Sequence, residues 1–471
     1  MFIDREHELN HLEEEYLKDS SRFVIIYGRR RIGKTALIEN FGKNKDKFIY
    51  YLADQQTQNL QIESFKIQMN QYIHDEFLGQ TNFETWDQLF SYLSRILPTD
   101  ERIILVIDEV TYLIKSTPAF PSILQKYWDT FFSKTKIFLI LSGSLVGMML
   151  RDVLDYSSPL YGRRTSQIQL KNFNFKQATQ FLQKFNIEDR VLLYSITGGV
   201  AKYLLMVEED NVYDFIRTKI IQKEGFFYME TIFLLSQEFK SPDVYLSILK
   251  GIALGHTKLG EISNFVGIEG RKLTRYLDVL QEIGLVIRQV PVTKDPQRFR
   301  KSIYYIEDNF LNFWFSFVFP NRSSIELRDT KDLLKKIINL MPGYTSLTFE
   351  KISIEFLRGL DAIGKLPVHF TQWGKWWDRE NEIDVVAINN ETIDILFCEC
   401  KWQIRKTGIN IIQQLIDKAQ LVQWSTKKRQ EHFVIISKSG FTKKAVEFAQ
   451  QNNVLLFDIN DIDAWSTSSY T

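Results

Sequence analysis

The sequence is poor in cysteine and carries almost no net charge. Its 471 residues include two cysteines, Cys398 and Cys400, which are separated by one residue. On one strand these side chains would share a face about 7 Å apart, too far for an unstrained disulfide. The sequence therefore has no disulfide framework, which is usual for a reducing compartment. The formal net charge is +1, so any contact with nucleic acid must come from local basic patches.

Signals for secretion, membrane insertion and metal binding by histidine are also missing. The opening segment, 1–8, lacks a basic start followed by an apolar core, so we expect no signal peptide. The most apolar stretch, 310–320, is too short to span a bilayer and predicts a buried helix. The six histidines show no ligand spacing. We therefore expect a cytoplasmic protein without a membrane partner.

The segment 23–35 predicts a strand that runs into a phosphate-binding loop. Gly28 and Gly33 bracket a loop whose backbone N–H groups can converge on a triphosphate. Lys34 would reach the β- and γ-phosphates, and the Thr35 hydroxyl would hold Mg²⁺. The helix that follows adds its positive end to the same anion site. The predicted ATP-binding residues here are Gly28, Arg29, Arg30, Arg31, Ile32, Gly33, Lys34, Thr35 and Ala36.

A second strand with an acidic end supports a nucleotide site. Residues 102–107 form an apolar run, as in a parallel strand buried on both faces, and Asp108 and Glu109 follow directly. Asp108 would hold the Mg²⁺ shell through water, and Glu109 would orient or deprotonate the attacking water. The alternative is a solvated strand end. The βαβ context after a phosphate loop favours the catalytic role.

A third strand, 136–141, ends in Ser142-Gly143-Ser144. A polar side chain at the end of a strand beside the phosphate loop commonly senses the γ-phosphate. Ser142 or Ser144 could do so, and we assign Ser144 to the nucleotide site. The alternative is that these small residues only form a turn.

Changes of pattern along the chain predict several domains. Alternating strands and helices over 1–170 indicate an α/β fold, a P-loop NTPase core with a parallel sheet. Mostly helical signals over 171–240 predict a helical lid subdomain. Three helices and two strands over 241–308 predict a winged helix, and a helical linker follows over 309–340. Strands and helices over 341–471 predict a second α/β domain.

The winged helix predicts contact with DNA, through its third helix and the loop between its strands. The third helix would enter the major groove, and the basic wing loop suits phosphates. The alternative is a protein-docking module, which winged helices also form inside ATPases. The predicted DNA-binding residues are Arg271, Lys272, Arg275, Lys294, Arg298 and Arg300.

A hairpin over 382–402 carries a second set of chemical groups. Glu399 and Lys401 share one face of the returning strand, and Asp384 can approach them. Asp384 and Glu399 would hold Mg²⁺ or Mn²⁺, and Lys401 would position or activate water for phosphodiester cleavage. An upstream helix offers Glu350 as a further metal ligand.

Blander interpretations of this region stay open. Glu399 and Lys401 could form a simple same-face ion pair, although burying charges without a role is costly. Cys398 and Cys400 could bind zinc with His432 as the nearest partner, but we favour core packing. The tryptophans of segment 373–377 could stack on bases, but we favour packing for them as well.

Several motifs together resemble a known family. They are Tyr-Gly-Arg-Arg-Arg-Ile-Gly-Lys-Thr at 27–35, Leu-Val-Ile-Asp-Glu at 105–109, Ser-Pro-Leu-Tyr-Gly-Arg at 158–163 and Thr-Gly-Gly-Val-Ala-Lys-Tyr-Leu at 197–204. The combination resembles the archaeal-type ATPases of the STAND/AAA-like class. These ATPases carry a C-terminal DUF234 domain that is related to restriction-endonuclease-like nucleases, and segments 373–384 and 398–402 are similar to its motifs.

The resemblance implies a nucleotide-switch ATPase, a winged helix and a C-terminal restriction-endonuclease-like α/β domain of the PD-(D/E)xK kind. It makes Arg163 a candidate γ-phosphate-sensing arginine in the ATP site. Ala201 departs from the pattern, because the family usually has proline there, which affects the expected geometry of the lid.

These features predict a Mg²⁺-dependent ATPase switch that controls DNA binding and phosphodiester cleavage by its C-terminal half. The rival hypothesis is a regulatory ATPase whose winged-helix and nuclease-like domains bind DNA or protein without cleaving. A scaffold with a degenerate ATP site is disfavoured by the intact Lys34, Thr35, Asp108 and Glu109. The expected partners are ATP and DNA, with a nucleotide-dependent homo-oligomer or a protein partner as further options.

Overall fold

The computed structural model describes residues 3–468. Residues 1–2 and 469–471, which are the outer limits of the predicted ATPase core and nuclease-like domain, lie outside the described residues. The chain divides into two compact units, Met1–Asn172 and Phe173–Thr471. Among residues 3–468, no helix is both long and apolar enough to cross a membrane.

The first unit alternates strands with helices. Its strands are β1 (Arg22–Tyr27), β2 (Phe48–Leu52), β3 (Ile104–Asp108), β4 (Phe138–Gly143) and β5 (Ser166–Gln169). Its helices are α1 (Glu6–Tyr16), α2 (Lys34–Gly42), α3 (Gln58–Ile73), α4 (Glu76–Gln80), α5 (Trp86–Ile96), α6 (Val110–Ser116), α7 (Phe120–Thr130) and α8 (Val146–Met148), with a 3₁₀ turn at Phe132–Lys134 and a π-helical turn at Met149–Leu154.

These strands form one parallel five-stranded sheet in the order β2-β3-β4-β1-β5. Strands β3 and β4 are buried at every position, which their apolar sequences allow on both faces of the sheet. Since β4 lies between β1 and β3, the carboxyl ends of these three strands meet at one edge. That edge is where a parallel sheet places its ligands.

The second unit begins with helices and contains two sheets. Its helices are α9 (Phe175–Thr179), α10 (Ile187–Thr197), α11 (Ala201–Leu205), α12 (Val212–Phe215), α13 (Glu230–Glu238), α14 (Asp243–Ala253), α15 (Leu259–Val266), α16 (Gly270–Glu282), α17 (Asn309–Phe313), α18 (Arg322–Glu326), α19 (Lys331–Ala362), α20 (Ile409–Ala419), α21 (Lys443–Gln451) and α22 (Ile459–Thr467). Shorter turns are π-helical at Ile216–Ile220 and Trp314–Val318 and 3₁₀ at Phe319–Asn321.

Helices α14, α15 and α16 are followed by an antiparallel pair, β6 (Val286–Gln289) and β7 (Ile303–Ile306). This is the order of elements predicted for the winged helix. Helix α15 is followed by Gly267, whose φ of 72° is the left-handed conformation that glycine adopts at helix ends.

The C-terminal sheet is mixed, with the order β12-β11-β10-β9-β8. Its strands are β8 (Gln372–Trp377), β9 (Glu382–Asn389), β10 (Asp394–Lys401), β11 (Gln430–Ser437) and β12 (Val454–Asp458). Strands β8, β9 and β10 are antiparallel, whereas β10, β11 and β12 are parallel. Apolar side chains pack on both faces of the sheet, against α19 and α22 on one face and α20 and α21 on the other.

One predicted boundary differs from these elements. Helix α19 is continuous from Lys331 to Ala362 and carries Pro342 inside. The predicted boundary between the linker and the nuclease-like domain, at 340/341, therefore falls within one helix rather than between elements. The sequence shows only an apolar pattern here. That pattern does not reveal that a single helix runs from the predicted linker into the predicted nuclease-like domain.

Candidate functional site

The loop between β1 and α2 needs glycine at both ends. Gly28 has a φ of 153°, and a Cβ here would lie 2.4 Å from the carbonyl oxygen of Leu170 and 2.6 Å from Cδ1 of Ile32. Gly33, which precedes α2, has a φ of 98°. Arg31, between them, also has a positive φ, of 69°. The backbone of the loop therefore selects the two glycines of the motif.

Lys34 points its ammonium back into this loop. The residue is buried, and its Nζ donates to the carbonyl oxygens of Gly28 at 2.9 Å and Arg29 at 3.0 Å. Thr35 and Ala36 follow in the exposed first turn of α2. Since the N–H groups of this turn add the positive end of the helix dipole, the loop can bind anionic phosphate groups.

An arginine outside the motif supports the loop. Arg5 is buried, and its Nη2 donates to the carbonyl oxygens of Ile32 at 3.3 Å and Lys171 at 2.6 Å. Within the loop, the guanidinium of Arg30 contacts the hydroxyl of Tyr112. Sequence reasoning missed Arg5, because a charged residue directly before an acidic helical turn is usually exposed to solvent.

Asp108, at the end of β3, is the acceptor for three groups. Its Oδ2 accepts hydrogen bonds from the hydroxyls of Thr35 at 2.9 Å and Tyr50 at 2.6 Å, and its Oδ1 accepts from the backbone N–H of Glu109 at 2.9 Å. Burial and the Asp108 carboxylate raise the pKa of Tyr50, so its hydroxyl stays protonated and donates. Thr35 and Asp108 are oxygen donors of the kind that Mg²⁺ prefers, and they lie side by side.

Glu109 contacts the end of the neighbouring strand β4. It has a φ of 54°, and its Oε2 accepts from the hydroxyl of Ser144 at 2.7 Å and the N–H of Ser144 at 3.2 Å. The Oγ of Ser142 is also buried and has no hydrogen-bond partner among the described residues. The two serines therefore have different environments, and Ser144 is the one bound to the acidic group.

Arg163, the arginine implied by the resemblance, pairs with another part of the first unit. Its guanidinium forms a two-point ion pair with Asp129, with Nη2–Oδ2 at 3.0 Å and Nε–Oδ1 at 3.3 Å. Its Nη1 also donates to the carbonyl oxygen of Tyr161 at 3.0 Å. A role in sensing the γ-phosphate stays a prediction.

In the second unit, Glu350 of α19 binds a lysine. The Nζ of Lys375, on β8, contacts the Glu350 carboxylate and lies 3.1 Å from Oε1 of Glu382. The side chains of Lys375 and Glu350 are only 12% and 13% exposed. Burial raises the pKa of Glu350 to about 7 against the opposing effect of Lys375. Burial alone would lower the pKa of Lys375, but Glu350 and Glu382 outweigh it and raise the pKa.

The remaining predicted groups of this unit meet on β9 and β10. The Oδ2 of Asp384 accepts from the backbone N–H of Cys400 at 2.8 Å. Lys401 donates to Oε1 of Glu399 at 2.6 Å, and Lys418 of α20 donates to both carboxylate oxygens of Glu399 at 3.3 Å. Burial and the charge of Glu399 raise the pKa of Asp384 to about 6. The charges of Glu350 and Asp384 act on each other as well, so the four predicted groups share one region.

Comparisons with known proteins identify the family of this chain. Residues 2–207 match a family of ATPase domains found predominantly in Archaea. The uncharacterised protein MJECL04 of Methanocaldococcus jannaschii is 36% identical over 465 residues, which is 98% of this chain and 100% of that protein. The chain belongs to this family of archaeal ATPases. It is accordingly a P-loop ATPase that binds ATP.

Other similarities are more limited. Residues 314–412 of the archaeal ATPase match the DUF234 family, described as archaeal and bacterial proteins of unknown function. An uncharacterised ATP-binding protein of the same archaeon is 47% identical over 45 residues, which is 10% of this chain and 76% of that protein. A Walker-type ATPase of Pyrococcus abyssi has a TM-score of 0.47 at 19% identity, with 67% of this chain and 96% of that chain covered.

The C-terminal carboxylates of this ATPase are not arranged as a metal-binding group. Among residues 3–468, no three or more His, Cys, Asp or Glu side chains come together in a way that could hold a metal ion. Glu350 is paired with Lys375, and Glu399 with Lys401 and Lys418. The predicted metal ligands Glu350, Asp384 and Glu399 are thus neighbours, but in this arrangement they do not fit a divalent cation.

The predicted DNA-binding residues of the archaeal ATPase are all exposed, on two surfaces of its winged helix: Arg271, Lys272, Arg275, Lys294, Arg298 and Arg300. The wing loop is organised by Arg288, whose guanidinium donates to the Ser302 hydroxyl at 2.9 Å and to the carbonyl oxygens of Phe299 at 2.8 Å and Pro296 at 3.2 Å. Arg288 therefore orders the wing loop, which carries the exposed wing cations Lys294, Arg298 and Arg300.

The two cysteines and two of the tryptophans in segment 373–377 are packing residues. Cys398 and Cys400 are free and buried with their Sγ atoms 4.0 Å apart. Trp376 lies in the core of the C-terminal sheet, and Trp373 donates its Nε1 hydrogen to the carbonyl oxygen of Phe370 at 3.2 Å. These side chains support the sheet.

Sequence reasoning missed two lysines of the C-terminal site. Lys375 stands among the tryptophans of segment 373–377, whose pattern indicates packing or base stacking and no charged cluster. Lys418 lies beside the buried Ala419 on an amphipathic helix, where its charge is easily taken for solvent-exposed. A signal was present for Lys375, because a lone lysine within an apolar strand needs a carboxylate partner.

Proposed function

We propose that this ATPase is a Mg²⁺-dependent switch whose nucleotide state controls DNA binding, and phosphodiester cleavage, by its C-terminal half. The observation that carries the proposal is the joint placement of Asp384, Glu399 and Lys401 in a unit that also presents a basic winged helix. Buried carboxylates beside a lysine are costly to maintain and are typical of sites that act on phosphodiesters.

In the ATP site, this chain supplies binding, positioning and a base. The loop amides from Gly28 to Gly33 and the Lys34 ammonium bind the β- and γ-phosphates. Thr35 and Asp108 would hold Mg²⁺, which when bound neutralises charge on the phosphates. Glu109 orients the attacking water and accepts its proton. Because Ser144 donates to the Glu109 carboxylate, the end of β4 sets where that carboxylate points.

In the C-terminal site, Lys401 has the clearest role. Its side chain is 24% exposed, and its Nζ would stabilise the negative charge that develops on a phosphate during cleavage. The carboxylates beside it are bound by lysines, so we derive no step that passes through a metal ion. The basic surfaces of α16 and the wing loop would hold the DNA backbone.

One observation favours a second candidate function. Glu350 and Glu399 both have lysine partners, and ion pairs of this kind also serve a purely structural role. In that case the ATPase would control binding without cleavage, and the partner of the winged helix would be DNA or another protein.

A cleavage assay separates these functions. Supercoiled and linear DNA are incubated with the protein in Mg²⁺ or Mn²⁺, with and without ATP. Wild type is compared with Lys401→Ala, Lys34→Ala and the exposed control Lys444→Ala. We expect cutting that is lost in Lys401→Ala, kept in Lys444→Ala, and changed by Lys34→Ala only when ATP is present. Intact ATP hydrolysis without cutting in any condition would support the binding-only function.

A further inference from the structure

A lysine occupies the position in the C-terminal cluster where a cation would be expected. The ammonium of Lys375 contacts Glu350 and is 3.1 Å from Glu382, and both Lys375 and Glu350 are nearly buried. The positive charge of the ammonium repels a divalent cation, so it weakens the binding of such a cation at the same carboxylate. Lys375 is therefore the cause of the mismatch at Glu350, as Lys401 and Lys418 are at Glu399.

The backbone of Lys375 is held by the wing of the winged helix. The N–H of Val292, in the wing loop, donates to the carbonyl oxygen of Lys375 at 2.9 Å. The pairing of β8 with β9 is interrupted at this point, between Gly374 and Trp376. A Cβ at Gly374 would lie 3.2 Å from Cβ of Val292, so glycine permits this close approach.

A wing strand also approaches the same cluster. Tyr305 of β7 lies close enough for the charges of Lys375, Glu382 and Glu350 to act on its hydroxyl. Burial raises the pKa of Tyr305, while Lys375 opposes the rise. The wing thus contacts the backbone of Lys375 through its loop and faces its side chain through its strand.

We propose that Lys375 is a positioning residue that excludes divalent cations from Glu350, and that the wing keeps Lys375 in that place. This inference rests on the proposed function, because it describes the regulation of the same site. Phosphates bound by the wing cations Lys294, Arg298 and Arg300 would shift the wing and weaken its hold on Lys375. A ligand can shift such an equilibrium only through contacts that differ between the two states, and we expect the hydrogen bond of Val292 to be the contact that is lost.

The test measures binding of Mn²⁺ to the full chain by isothermal titration, without nucleotide or DNA. All proteins carry Asp108→Asn, so that the ATP site does not contribute. Lys375→Met, which keeps the length of the side chain and removes its charge, is expected to bind Mn²⁺ on the order of ten- to a hundredfold more tightly. Lys375→Arg is expected to bind like the parent, and adding Glu350→Gln to Lys375→Met is expected to cancel the gain.

A second pair of variants tests the wing without touching the charged groups. Val292→Pro removes the N–H that donates to Lys375, whereas Val292→Ala keeps it. We expect Val292→Pro to bind Mn²⁺ more tightly than the parent and Val292→Ala to bind it with the parent's affinity. If Lys375→Met does not fold, this pair decides the result. Unchanged Mn²⁺ affinity in Val292→Pro and in a folded Lys375→Met would overturn the inference.

These measurements use no DNA, so they are independent of cleavage. A gain in Mn²⁺ affinity without cutting in any condition would leave the inference standing and remove the proposed nuclease. If cutting depends on Lys401 but the Lys375 and Val292 variants show no gain in Mn²⁺ affinity, the proposed nuclease stands and the inference on Lys375 is overturned.

Discussion

Glu109 accepts two hydrogen bonds from Ser144, one from the hydroxyl at 2.7 Å and one from the backbone N–H at 3.2 Å. The first residue follows β3 and the second follows β4, so the contact joins the ends of two neighbouring strands. A carboxylate held by two donors must give up at least one of these hydrogen bonds before it can turn toward a bound water. The contact therefore restrains the residue that we propose as the base of ATP hydrolysis.

Replacing Ser144 by alanine should release Glu109. The variant loses the hydroxyl donor and keeps the N–H, and a hydrogen bond to a charged group is worth about 1.5–3 kcal/mol. We expect the basal kcat for ATP to rise about threefold to tenfold at an unchanged KM, measured by phosphate release. A raised KM with a lower kcat would instead show that Ser144 contacts the γ-phosphate.

Lys34→Ala and Glu109→Gln should separate binding from hydrolysis. Lys34 provides the buried ammonium of the loop, so its loss should weaken ATP binding by about a hundredfold. Glu109→Gln keeps the shape and the contact with Ser144, so ATP should bind normally while kcat falls about 10²–10⁴-fold. Titration with a fluorescent ATP analogue and a turnover assay check both. Normal hydrolysis by Glu109→Gln would mean that another group is the base.

Tyr50→Phe should destabilise the first unit. The change removes the donor that lies 2.6 Å from Asp108, which is 1% exposed and has little access to water as a replacement. Losing a hydrogen bond to a buried charge should lower the free energy of unfolding by about 1–3 kcal/mol. Urea unfolding measures this, with the exposed Tyr156→Phe as control. Equal stability of both variants would show that Tyr50 does not support Asp108.

Neutralising the wing should change the salt dependence of DNA binding. Lys294, Arg298 and Arg300 are exposed on the wing loop, and replacing all three by alanine removes three potential phosphate contacts. The slope of log K against log salt should decrease by about 2 to 3. Fluorescence anisotropy at several salt concentrations checks this, with Lys443→Ala/Lys444→Ala as control. An unchanged slope would favour protein docking by the winged helix.

The raised pKa of Asp384 should make stability depend on pH in a defined window. The folded protein holds the proton up to about pH 6, while the unfolded chain releases it near pH 4. Between these two pH values the folded state therefore binds more protons than the unfolded chain. The stabilisation that this proton provides is complete below about pH 4 and is lost as the pH rises through about 6. Relative to Asp384→Asn, the free energy of unfolding should fall by at most about 3 kcal/mol across this window. Urea midpoints that fall equally in both proteins would contradict the assignment.

Local sequence was enough to predict the parts of both sites that lie on single elements. Gly28 and Gly33 are selected by backbone conformation, and the alternation of β10 places Glu399 and Lys401 on one face. Arg5, Lys375 and Lys418 could not be assigned in this way. Each acts on a group 19 or more residues away in the chain, such as Ile32, Glu350 and Glu399, and such pairs leave no periodic signal.

The sequence by itself determined the phosphate loop, the acidic strand end and the order of helices and strands, because these depend on residue type and on spacing over a few positions. The tertiary structure decided which group each buried charged residue contacts. It placed Ser144 on Glu109, Lys375 on Glu350, and the wing loop against the backbone of Lys375. The physical reason is that a buried charge must find a partner, and packing of distant elements determines which partner is within reach.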